Sequence, residues 1–113
     1  MKFRLPGDSP NKYGARRATV DGWDFDSRAE AARYAELKLL AGQGIITGLR
    51  VHPAYPLIVE GVAVGNYVGD FSYTDDKGVL VLEDVKGVRT QLYKFKRKLV
   101  LALYGIDIQE VDV

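Results

Sequence analysis

Gly69-Asp70 and, one hairpin later, Glu83-Asp84-Val85-Lys86 bring two acids and a lysine to a spacing that can do chemistry. Between them, Asp76-Lys77-Gly78 suits a three-residue loop with glycine in the left-handed position. Asp75 then pairs with Val79, and counting back along both strands sets Asp70 opposite Asp84, side chains roughly 5 Å apart on one face. Lys86 points the same way, while Glu83 and Val85 point to the other face. A loop one residue longer would set Glu83 opposite Asp70 instead. Two adjacent carboxylates repel and do not both ionise cheaply without a cation. Mg²⁺, for which Mn²⁺ substitutes, takes one or two protein carboxylates plus phosphate oxygens and water. A neighbouring lysine orients or deprotonates an attacking water, or neutralises charge on a phosphate in flight. These are the parts of metal-assisted phosphodiester hydrolysis. The plainer alternative is a salt bridge between Asp84 and Lys86 at a strand end, with Asp70 as a neighbour.

Ser27-Arg28-Ala29-Glu30 has the spacing of a capping box, in which Glu30 reaches back to the N-cap amide. A helix-borne carboxylate can instead supply a further metal contact, and the two roles compete for the same group. On residue chemistry alone the cap is favoured. Glu36 is a solvated acid on the same helix. His52, between Val51 and Pro53, reads as a loop residue, and Trp23 and Tyr13 as packing residues of a hairpin and an arm.

The elements that must hold these groups follow from pattern. Residues 1–18 read as a basic arm, with Pro6, Gly7, Pro10 and Gly14 interrupting any regular structure, and residues 19–113 as one domain. Asp21-Gly22 turns a short hairpin between Thr19-Val20 and Trp23-Phe25. From Ser27 an Ala- and Leu-rich run makes a helix of about four turns, ended by Gly42 and Gly44. Ile45–Val51, Tyr55–Glu60, Val62–Tyr73 and Val79–Val85 are strand signals, the last apolar enough to be buried on both faces. Thr90–Tyr104 is a second helix with Leu92, Phe95, Leu99, Ala102 and Leu103 on its core stripe and Lys94, Arg97 and Lys98 mostly opposite. Ile106, Ile108 and Val111 predict a last strand. The sum is an α/β sandwich with a mixed sheet.

Composition narrows the classes further. The 113 residues carry 16 Lys+Arg against 15 Asp+Glu, with no Cys and one His. Cysteine-based metal centres, thiol catalysis and multi-histidine clusters are excluded. No apolar stretch approaches the roughly 20 residues of a membrane span, and the N-terminus lacks a secretory signal, so a cytoplasmic setting is expected. Charge is unevenly laid out. Arg16 and Arg17 close a basic N-terminal stretch, and Lys86, Arg89, Lys94, Lys96, Arg97 and Lys98 cluster without an acid. That suits a polyanion held against a metal site, or simply two solvated surfaces.

FDSRAEAARYAEL (Phe25–Leu37), GDFSY (Gly69–Tyr73), EDVKG (Glu83–Gly87) and YKFKRKL (Tyr93–Leu99), with NKYGARR (Asn11–Arg17) ahead of them, resemble a family of small phage and prophage proteins. That family is catalogued as a domain of unknown function and placed in the PD-(D/E)xK, restriction-endonuclease-like nuclease superfamily. The resemblance implies a core of α-β-β-β-α-β order around a mixed central sheet. It sets the superfamily's two acids on Asp70 and Asp84 and its lysine on Lys86. It also moves Glu30 toward the site and makes the Val85 carbonyl a further metal ligand. Gly69 stands where the motif's proline would be, and neither Val88 nor Gln91 replaces the glutamine some related nucleases carry.

The expected activity is therefore a metal-dependent endodeoxyribonuclease in which Glu30, Asp70, Asp84 and Lys86 are catalytic. Arg16, Arg17, Arg89, Lys94, Lys96, Arg97 and Lys98 are the expected DNA-binding cations, with Lys96 near enough to the apolar stripe to snorkel. Tyr93 can stack on bases, whereas Phe95 reads as core. A compact domain has little surface for reading a long sequence, so branched or structured DNA is the expected substrate, as for a junction resolvase. Symmetric cutting calls for a homodimer. The rivals are a non-catalytic DNA-binding or packaging accessory that kept the fold, and an exonuclease or nickase.

Overall fold

The computed structural model describes residues 17–112. The expected basic arm, Arg16 included, lies outside the described residues except at its end. There Arg17 approaches Asp26 at 3.8 Å, and Ala18 already belongs to the first strand. Strands β1 (Ala18–Val20) and β2 (Trp23–Phe25) form the expected hairpin over Asp21-Gly22. Helix α1 (Arg28–Gly42) starts at Ser27, whose hydroxyl accepts the Glu30 amide at 3.1 Å. It stops where Gly44 and Ile45 donate to the carbonyls of Ala41 and Leu40, a Schellman-type closure. Glu30, Tyr34 and Leu37 recur at helical spacing along its buried stripe.

Five strands and a helix follow: β3 (Thr47–Val51), β4 (Ala54–Val59), β5 (Val62–Val68), β6 (Phe71–Thr74), β7 (Leu80–Val85) and α2 (Gln91–Tyr104), before β8 (Gln109–Val111). The main sheet runs β3-β6-β7-β8, with β7 and β8 parallel and the other neighbours antiparallel. A mixed sheet between two helices is thus present. The single strand expected over Val62–Tyr73 is instead two, broken at Gly69-Asp70, and β4 and β5 pair apart from the main sheet.

The break is the structural event that matters most for the site. Val51 pairs with Phe71 in the main sheet and Ala54 with Val68 in the hairpin. The two residues left over on each strand keep the same register, so His52 falls opposite Asp70 and Pro53 opposite Gly69. Two hydrogen bonds clasp this corner, His52 N–H to the Asp70 carbonyl and Gly69 N–H to the Pro53 carbonyl, each 2.9 Å. Proline offers no amide to continue a ladder, and His52 sits in the left-handed region at φ 54°, so one long ribbon bends here. Glycine at 69 is steric: a Cβ there would lie 2.8 Å from the Leu82 side chain.

Alternation along the strands divides the core. Phe25, Tyr34, Leu37, Ile46, Phe71 and Tyr73 pack on the α1 face, and Leu57, Tyr67, Leu82, Tyr93, Val100 and Ile108 on the α2 face. β7 is central, but Val79 and Leu80 are exposed and only Leu82, Glu83 and Asp84 are buried. The stripe expected of α2 is rotated. Leu92 and Phe95 are 61% and 58% exposed, while Tyr93 and Val100 are buried. Polar contacts account for the rotation, since Tyr93 and Arg97 both reach Glu110 on β8, at 2.8 and 2.9 Å.

On the α1 face, Glu83 is 2% exposed and held by Arg33 through two bonds of 2.8 and 2.7 Å and by the Tyr73 hydroxyl. Removing one member of such a pair leaves a buried charge without a partner. Arg33→Ala is therefore expected to lower unfolding free energy by about 3 kcal/mol in a urea titration. A loss within the scatter of surface substitutions would show that water replaces the guanidinium.

Candidate metal centre

The hairpin loop forms as its residues require. Gly78 takes φ 80°, Asp75 N–H meets the Val79 carbonyl at 2.9 Å, and Phe71 comes opposite Glu83. At the next position the Asp70 amide still donates to the Glu83 carbonyl at 3.0 Å, and the Val85 amide donates to the Asp70 side chain, at Oδ2, at 2.6 Å. Asp70 is thereby turned onto β7 beside Asp84. The Asp84 carboxylate is buried, with Lys86 Nζ 3.0 Å from Oδ1 and the Tyr67 hydroxyl donating to Oδ2. Lys86 also lies 4.0 Å from the centroid of the Tyr93 ring, a cation–π contact that orients its ammonium. The expected convergence of Asp70, Asp84 and Lys86 is present.

Burial sets the electrostatics. It pushes Asp70 up to about 6, with the neighbouring Glu30 carboxylate the next cause. Asp84 also rises to about 6, first by burial and then by its contact with Asp70. Tyr67, buried against Asp84, is pushed well above the ordinary phenol range.

Glu30 reaches the same place with its two oxygens facing different groups. Oε2 accepts the Asp26 amide at 3.1 Å, one residue before the N-cap rather than at it. Oε1 lies 3.9 Å from His52 Nε2. Its inward direction was readable, since Glu30 shares a helical stripe with Tyr34 and Leu37. His52, expected to be a loop residue, proves to be part of the cluster. Ligand atoms of Glu30, His52 and Asp70 all lie within 4.8 Å of one another. Its sequence signal is the register across the ribbon bend, which stays hidden while Val62–Tyr73 is taken as one strand.

The donor set fits a hard divalent cation. Three carboxylates adjoin in turn, Glu30 beside Asp70 and Asp70 beside Asp84, and the Lys86 ammonium pairs with the last of them. Asp70, Asp84 and Lys86 open onto a cleft of about 370 Å³ that Tyr67, Tyr93 and Lys96 also line. His52 lines a second cleft, of about 470 Å³, with Trp23, Leu49 and Arg50.

The expected DNA-binding cations divide. Arg89 pairs with Glu110 and Asp112 at 2.7 and 2.9 Å, and Arg97 with Asp107 and Glu110 at 3.1 and 2.9 Å. Both arginines tie α2 and the turn before it to β8 and its flanks. Among the described residues no carboxylate pairs with Lys94, Lys96 or Lys98. Tyr93, expected to be free to stack on bases, is buried beneath Lys86, and Phe95, expected in the core, faces outward.

The raised acids fix a pH dependence. A carboxyl with a higher pKa folded than unfolded binds protons in the native state first, so stability falls as pH rises from about 4 through 6. Metal-free protein is accordingly expected to melt about 2 °C or more higher at pH 5.5 than at pH 7.5. The Asp70→Asn, Asp84→Asn double variant should lose that gain. Thermal unfolding in a chelator across this range is the measurement, and an identical slope in the variant would place the titration elsewhere.

No curated protein and no solved structure matches the chain. A family model does, over residues 10–110, under the description "Protein of unknown function (DUF1064)". That span takes in every element of the fold from β1 to α2 and all the residues of the acidic cluster, and on it the chain belongs to the DUF1064 family.

Proposed function

We propose that the protein is a metal-dependent deoxyribonuclease of the PD-(D/E)xK type that hydrolyses DNA phosphodiester bonds. The observation that carries this reading is the meeting of Asp70, Asp84 and Glu30 with Lys86 in one half-buried corner. The path α1, β3, β6, β7, α2, β8 through the main sheet, with β4–β5 as an excursion, supports a restriction-endonuclease-like core. Asp70, Asp84 and Glu30 would hold Mg²⁺ or Mn²⁺. The Val85 carbonyl, on the same strand edge as the amide that reaches Asp70, adds an oxygen donor. A divalent ion there lowers the pKa of water and offsets charge on the phosphate.

The chain's own groups do the rest. Lys86 has its ammonium fixed by Asp84 and the Tyr93 ring, so it meets an incoming phosphate and its attacking water without reorganising. Tyr67 holds Asp84 from the other side. Lys96, on the rim of the same cleft, is placed to steer a backbone phosphate inward, with Lys94 and Lys98 further along the helix. Branched or structured DNA is the proposed substrate, and two copies would serve its two strands. Among the described residues no helix is long and apolar enough to cross a membrane.

Purified protein with Mg²⁺ should cut at least one of linear duplex, single-stranded, nicked or four-way-junction DNA, and Asp70→Asn or Asp84→Asn should abolish cutting. Lys86→Ala should keep DNA affinity and reduce turnover by about two orders of magnitude, as loss of a transition-state contact does. Binding without cleavage of any of the four substrates would leave a DNA-binding accessory on a nuclease fold.

DNA affinity across a salt series in Ca²⁺ tests the cations. Alanine at Lys94, Lys96 and Lys98 together should flatten the salt slope by about 0.9 log units per lost phosphate contact. Arg97→Ala should leave the slope unchanged and lower the melting temperature. A slope lost with Arg97 and kept without the lysines would reverse this assignment.

A further inference from the structure

His52 stands beside the proposed catalytic centre with no part in it, yet its position is closely specified. The ribbon register sets it opposite Asp70, its amide donates to the Asp70 carbonyl at 2.9 Å, and its backbone holds φ 54°. Its ring packs edge-on to Trp23 and tilted against Phe25, at centroid distances of 6.2 and 5.8 Å. These contacts leave Nε2 directed at Glu30 Oε1, 3.9 Å away. The Glu30 side chain is 8% exposed, and its other oxygen is engaged by the Asp26 amide. Lys86, the ammonium of the corner, is spent on Asp84. A nearly buried carboxylate oxygen therefore faces an imidazole nitrogen and a second carboxylate.

Two ligands each about 2.1 Å from one ion stand up to about 4.2 Å apart. The 3.9 Å between Nε2 and Oε1 fits that span, and the whole triad lies within 4.8 Å, so a small side-chain rotation closes it. The donors are one imidazole nitrogen and two carboxylates. Imidazole suits zinc and its transition-series neighbours, whereas Mg²⁺ and Ca²⁺ prefer oxygen throughout. We infer that His52, Glu30 and Asp70 form a second, nitrogen-bearing seat for a transition-series divalent cation. This seat shares Glu30 and Asp70 with the oxygen-only seat at Asp84, and its His52 lines the Trp23–Arg50 cleft. The inference deepens the nuclease reading and rests on it for the function of the site, but its geometry stands on these three residues alone.

The chain has one histidine, so the imidazole ¹⁵N spectrum of untagged, full-length protein reports His52 alone. Titration with Zn²⁺ should shift the Nε2 resonance as a metal bond does, while Mg²⁺ at the same concentration leaves it in place. Asp84→Asn, which disables the proposed catalytic seat, should keep the Zn²⁺ response. Glu30→Gln retains an acceptor for the Asp26 amide, and so its fold, and should weaken the response about tenfold or more. An unmoved Nε2 in Zn²⁺, or a response lost with Asp84→Asn and kept in Glu30→Gln, would overturn the second seat. Mg²⁺-dependent DNA cutting alongside a silent His52 would leave the nuclease reading standing without it. A Zn²⁺-responsive His52 in a protein that cuts no DNA would do the reverse.

Discussion

The amide hydrogen of Val85 meets the carboxylate of Asp70 where the β6–β7 ladder ends, and the chemistry of the corner depends on that bond. It turns Asp70 toward β7, sets it against Asp84, and leaves a half-buried and a buried acid in contact. Like charges so placed are costly, and the fold meets the cost only in part, through one lysine, one tyrosine and one backbone amide. Both acids are consequently harder to ionise than exposed carboxylates. An incomplete balance of this kind is the state from which a cation is readily accepted.

The two adjacent acids of β7 show how differently one strand can treat the same charge. Glu83 faces α1 and accepts hydrogen bonds from a bidentate guanidinium and a phenol. Asp84 faces the other way, into an open cleft that its partner Lys86 also lines. The first anchors helix to sheet, and the second is available to a ligand. Strand alternation alone separates them.

The ribbon bend supplies the remaining members. By breaking both strands at His52-Pro53 and Gly69-Asp70 without losing register, it sends β4 and β5 away from the main sheet and delivers His52 beside Asp70. The N-terminus of α1 completes the corner with Glu30, whose two oxygens serve the helix start and the cluster separately. Position on the helix and function at the site are therefore linked, because a shift of α1 would move a cluster oxygen.

Much of this was legible in the residues themselves. Asp75 to Val79 has the chemistry of one loop type, and that loop dictates which side chains meet five rungs away, so Asp70, Asp84 and Lys86 could be brought together on paper. Ser27 and Gly44 marked the ends of α1 because capping is local chemistry. The bend of the ribbon could not be read, since Val62–Tyr73 is β-rich and the break rests on Pro53 and the left-handed His52 across the ribbon and on the packing of Gly69 against Leu82. His52 was missed for that reason. The rotation of α2 was likewise a tertiary decision. Its apolar pattern favours Leu92 and Phe95 for the core, but Glu110 on a strand not yet formed claims Tyr93 and Arg97, and those directional bonds outweigh the stripe. The same strand neutralised Arg89 and Arg97, because a cation's partners depend on which acids the fold brings near, and sequence distance does not encode that.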